Sequence, residues 1–132
     1  MPTITRWFVK ASLVSLVLGL VAGIWQQVAG VAGLFPVYLH LVTFGWLTQL
    51  IFGIAIWMFP IYTREQPRGP EWLVWGIFAT LNSGLLLRVV FEPLQSFSST
   101  TLGGWALVAA AILQWLSGVG FAAAVWTRIR RK

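Results

Sequence analysis

Four long apolar runs, separated by short polar or proline-rich breaks, set the pattern of this chain. They cover about residues 7–27, 36–60, 71–91 and 102–126. The second is the sharpest, bounded by a proline at each end, Pro36 to Pro60 (PVYLHLVTFGWLTQLIFGIAIWMFP). At about 1.5 Å of rise per residue, a helix of that length covers the roughly 30 Å hydrocarbon core of a bilayer. Pro36 suits a first helical turn, where its missing N–H would be unpaired anyway, and Pro60 sits where a helix ends or kinks. The runs are too long for strands, so the pattern predicts an all-α integral membrane four-helix bundle forming a single transmembrane domain over 1–132.

The breaks carry their own signals. Residues 26–35 make a short uncharged connection. Residues 61–69 form a polar loop with Arg64, Glu65 and Arg68, in which Pro67, Gly69 and Pro70 stop a helix. Glu71 opens the third run where the helix dipole favours an anion, and Pro93 is expected to close it. Within the first run Gly19 and Gly23 form a small-xxx-small pair that lets another helix approach closely. That run has the charged start and apolar middle of a secretory leader, but is read as a retained membrane helix.

Composition agrees with the pattern: 58% apolar and only 9% charged residues, with a mean hydropathy of +0.83, exclude an ordinary soluble domain. A net charge of +6 would permit a nucleic-acid partner, yet the basic residues form no face of their own and cluster beside the apolar runs, so none is expected. Their distribution is one-sided. The amino-terminal segment (Arg6, Lys10), the 61–69 loop (Arg64, Arg68) and the carboxyl-terminal stop (Arg128, Arg130, Arg131, Lys132) lie on one side of a four-crossing chain, and the two opposite connections carry no Lys or Arg. The positive-inside rule then puts both termini in the cytoplasm, as expected of a multi-pass protein of a bacterial-type inner (plasma) membrane. Zero cysteines exclude disulfides, thiolate metal sites, iron–sulfur clusters and covalently attached c-type haem.

Two ionisable side chains within the runs are the candidates for chemistry. His40 is the chain's one histidine and lies one turn inside the second run. Such a residue faces a bundle interior, a cavity or a cofactor, and imidazole also ligates haem iron. Arg88, near the outer end of the third run, shares its depth. Arg88 has three uses open to it: pairing with Glu92 four residues on, snorkelling to the interface, or meeting a haem propionate, which its guanidinium matches bidentately. Phe44, one turn below His40, can pack on a porphyrin, and Gly45 lets a flat ring or another helix approach the backbone. His40, Phe44, Leu47, Ile51, Ala55 and Met58 follow one helical face, but Met58 lies roughly 27 Å along the axis from His40 and cannot share its iron. Thr48, Gln49, Asn82, Ser83, Gln114 and Ser117 are read as packing residues that hydrogen-bond across helices. Gln26 and Gln27, at the outer end of the first run, are weaker candidates to border a haem edge or a quinone head.

The order Leu39-His40-Leu41, then Phe44-Gly45-Trp46, with Trp57-Met58-Phe59-Pro60 at the far end, resembles the second transmembrane helix of haem-copper oxidase subunit I, in particular its nitric-oxide-reductase-like and short relatives. The resemblance covers about 25 residues and is only topological elsewhere. It implies that His40 is an axial ligand of a noncovalent haem b, and that the protein serves electron transfer or haem or gas sensing, with a quinone or redox partner. With one histidine in total the chain lacks the ligands of a binuclear centre, so oxygen or nitric oxide reduction is not supported and an enzyme is not indicated. The family's low-spin haem takes two histidines, which a homodimer would supply with one His40 from each chain; one haem per chain with an open iron position is the rival arrangement. A small four-helix transporter and a cofactor-free membrane scaffold subunit are the alternatives. The topology has a direct check: a cysteine at position 30 should react only with reagent added on the outer side, and labelling from the cytoplasm would reverse the assignment.

Overall fold

The computed structural model describes residues 1–129 and consists of α1 (Thr3–Ala29), α2 (Leu34–His40), a π-helical segment (Leu41–Thr48), α3 (Gln49–Met58), α4 (Glu71–Phe97) and α5 (Thr101–Ile129). Of the expected basic stop, Arg130, Arg131 and Lys132 lie outside the described residues. α2, the π segment and α3 are continuous, so four spans result, Thr3–Ala29, Leu34–Met58, Glu71–Phe97 and Thr101–Ile129, each long and apolar enough to cross a membrane. Among the described residues there is no strand. The protein is an all-α, multi-pass membrane four-helix bundle.

The helices outrun the apolar stretches at several ends, because helical hydrogen bonding continues into the interface after hydrophobicity stops. Pro36 sits in the first turn of α2, and the second span ends at Met58, two residues before Pro60. Pro93 departs from expectation. It lies inside α4, which continues to Phe97. Proline there forfeits one backbone donor in the last turn. The continuation is tied down by side chains: Ser96 Oγ donates to the Pro93 carbonyl (2.7 Å), and the Gln95 amide accepts from the Thr100 N–H (2.7 Å) and donates to its carbonyl (3.2 Å).

The first two spans form one antiparallel hairpin. Gly19 lies against Leu41 and Val42, and Gly23 against the Tyr38 ring, the close approach their spacing predicts. Further along, a methyl group at Gly45 would fall 2.6 Å from Ser15 Cβ. The π segment, in which the Gln49 N–H reaches back five residues to the Phe44 carbonyl, underwinds the helix. Leu41, Gly45, Gln49, Gly53 and Ile56 therefore form one buried line. Of the residues expected to share a face from His40 to Met58, Leu47, Ile51 and Met58 are exposed, Met58 at 71%, and His40, Phe44 and Ala55 are half-buried.

α4 and α5 form the second hairpin, in which Gly84 meets the Ala110 carbonyl and Gln114. Near the end of the bundle that carries the termini, Ile4, Phe8, Ile56, Val74, Ile77 and Ala124 join all four spans in one apolar cluster. At that end Arg128, only 1% exposed, crosses from α5 to the end of α3. Its Nε donates to the Pro60 carbonyl (2.6 Å), and its Nη2 donates to those of Ile56 (2.9 Å) and Phe59 (2.7 Å). A guanidinium suits this place, since the last carbonyls of a helix lack intrahelical partners and carry the negative end of its dipole. Arg128→Ala should therefore destabilise the detergent-solubilised protein by about 2–4 kcal/mol. Arg128→Lys, which cannot fork across three carbonyls, should recover only part of the loss of melting temperature; full recovery by lysine would show that charge alone matters.

Candidate functional site

At the other end of the bundle, α2, α4 and α5 bring four polar side chains together. His40 is the last residue of α2, and its Nδ1 lies 2.8 Å from the Pro36 carbonyl and 3.4 Å from Glu92 Oε1. A carbonyl only accepts, so in this geometry Nδ1 carries the proton and donates it, and the lone pair of the neutral ring sits on Nε2. Phe44 stacks on the imidazole itself, with centroids 6.0 Å apart and planes at 17°. Gly45 faces away from His40 onto α1, where Ser15 fills the space beside it. Of its two expected uses, the close approach of a helix is the one the structure shows.

Arg88 reaches both of its neighbours. Its Nη1 donates to Glu92 Oε1 (2.9 Å), one turn on along α4, and its Nε donates to Gln114 Oε1 (2.9 Å) on α5. Glu92 is the hub: one carboxylate oxygen serves His40 and Arg88 together, while its side chain is only 8% exposed. The other oxygen, Oε2, and Gln114 Nε2 are buried without a hydrogen-bond partner among the described residues. Side-chain exposures of 26% for His40 and 17% for Arg88 place the rim of the cluster at the bundle surface.

The shared depth of His40 and Arg88 is thus a real proximity, mediated by Glu92. Two participants carried more than the sequence reading gave them. Glu92 is expected from sequence to pair with Arg88 and to lie too near the outer edge to serve as a transporter's coupling carboxylate, although its position at the depth of His40 was the available signal. Gln114 was one of six packing residues, and nothing in one dimension singles it out. Gln26 and Gln27 end α1, where Gln26 gives its backbone carbonyl to the Gly30 N–H.

Among the described residues, cavities open elsewhere, three of which are well formed. The first, about 610 Å³, lies between the amino terminus and the 65–71 segment. The second, about 450 Å³, lies along α3 beside Met58. The third is an apolar groove of about 380 Å³ between α1, α2 and α4, lined by Trp25, Val37, Leu41, Pro93 and Phe97 among others. His40 lines none of the three. No protein family, curated protein or solved structure matches the chain.

Removing one member of a buried ion pair strands the other, whereas removing both does not. Arg88→Leu should therefore destabilise the protein by about 2–3 kcal/mol, and adding Glu92→Leu should recover at least half of that in thermal unfolding. An additive double variant would mean that the two side chains do not act as a pair.

Proposed function

We propose that this chain binds a noncovalent b-type haem through His40 and serves electron transfer or haem or gas sensing, as a relative of haem-copper oxidase subunit I without its binuclear centre. One observation carries the reading: the Nδ1–H of His40 is held by the Pro36 carbonyl beside Glu92, which leaves Nε2 as the ligating nitrogen. Metal-bound histidines characteristically anchor their second nitrogen on a carbonyl or carboxylate in this way, which sets the ring orientation and raises its basicity. A haem held there supplies one-electron chemistry at its iron. Phe44 braces the imidazole plane, and Glu92 orients the ring from α4.

Arg88 has a narrower part in this proposal than a propionate clamp, because its guanidinium is committed to Glu92 and Gln114. Its Nη2, which takes part in neither contact, is the donor left to meet a propionate. The surface position of His40 favours a haem held between chains, with a C2 homodimer supplying one His40 from each side. The proposed setting is a bacterial-type inner membrane with both termini cytoplasmic, and a quinone or another redox protein as electron partner.

A second reading has its own support. Glu92 is a buried carboxylate within a span, with one oxygen unpartnered, as a small four-helix transporter requires of its coupling site. Visible absorption separates the two. The haem reading expects a Soret band in the detergent-purified protein, lost in His40→Ala, with about one haem per two chains and a low-spin spectrum. Full haem content in His40→Ala overturns His40 as ligand, and one high-spin haem per chain overturns the shared site.

A further inference from the structure

Below the His40 cluster the bundle interior holds more polar atoms than it pairs. Gln49 is fully buried, with both its amide oxygen and nitrogen unpartnered among the described residues, and Ser117 is fully buried with its hydroxyl in the same condition. The register puts these two at one level of the bundle. Phe52 and Phe121 stack face to face across α3 and α5, with centroids 3.9 Å apart and planes at 6°. The second span and α5 run in the same direction, so Gln49, three residues before Phe52, and Ser117, four before Phe121, both lie one turn above the stack. Gln114, whose Nε2 is also unpartnered, is one further turn up α5 and touches Arg88. Unpaired polar atoms thus descend in steps, from Glu92 Oε2 and Gln114 Nε2 to Ser117 Oγ and Gln49, ending at two stacked phenyl rings.

A polar group buried in a bilayer without a partner is strongly unfavourable, and neither an amide nor a hydroxyl can escape by changing its charge. Three residues of helix rise about 4.5 Å, which a single water hydrogen-bonded at about 2.8 Å to each neighbour can bridge. Buried waters occupy sites of this kind, where several polar atoms converge.

We propose that these atoms line a hydrated half-channel, a file of water that enters beside His40 and Arg88, passes Gln114 and Ser117, and ends at Gln49 on the Phe52–Phe121 stack. The stack and the fully buried Ile56 beneath it close the file towards the end that carries the termini. The ligand is water, delivered to the middle of the membrane from one side only. The inference does not rest on haem binding.

Thiol reactivity reads it directly, because a methanethiosulfonate reacts with the thiolate, which forms only where water reaches. In proteoliposomes, with a small cationic reagent added on the side of residues 30–33, Ser117→Cys should react about tenfold or more faster than Ala124→Cys, which lies beyond the stack. Hydroxyl-radical footprinting of the unmodified protein gives a readout free of substitutions. Phe52 and Phe121 should be oxidised while Phe78, partly buried like them but off the file, is spared. An unreactive Ser117→Cys in a folded variant, or a Phe121 as protected as Phe78, overturns the proposal.

Discussion

A guanidinium inside a bilayer must find its partners within the protein, and two arginines, the half-buried Arg88 and the buried Arg128, organise the bundle from opposite ends. Arg88 draws Glu92 on its own helix and Gln114 on α5, and Glu92 in turn holds His40 on α2. Arg128 inserts into the carbonyl end of α3. Hydrophobic burial cannot set these relations, since lipid tails solvate an apolar helix face as well as another helix does. Polar pairing and close small-residue contacts are what remain to fix which helix meets which.

The division of labour follows from that. The seam between the first two spans uses Gly19, Gly23, Gly45 and Ser15 to bring backbones together, so dispersion forces act over a long contact. The α4–α5 hairpin repeats the device at Gly84. The join between the hairpins has the apolar cluster around Phe8 and Ile77 at one end and the His40–Glu92 contact near the other. A site at such a join is held by both halves, so it reports on their relative placement.

The number, order and approximate limits of the spans were legible because bilayer thickness imposes a length on any apolar run that crosses it. The Arg88–Glu92 pair was legible too, since four residues along a helix is a contact distance. Tertiary relations were not. Arg128 reads in sequence as one more positive charge in a basic stop, because its acceptors are backbone carbonyls 68 to 72 residues away. Pro93 reads as a terminus because local propensity ignores the Gln95 and Ser96 side chains that support another turn. The stretch from His40 to Met58 was given a uniform period of 3.6, which cannot register a segment of different pitch.

That segment makes chain length a geometric variable here. The π-helical turns of Leu41–Thr48 accommodate backbone that a regular helix of the same axial length would not hold. Were the same residues wound as a regular α-helix, with α3 anchored by Arg128, the upper part would swing by about 100°. His40 would then leave Glu92 although no contacting side chain had been altered. The π turns are thus what keeps His40 in register with Glu92, and a one-residue deletion that removed them would leave the flanking helix positions nearly where they are.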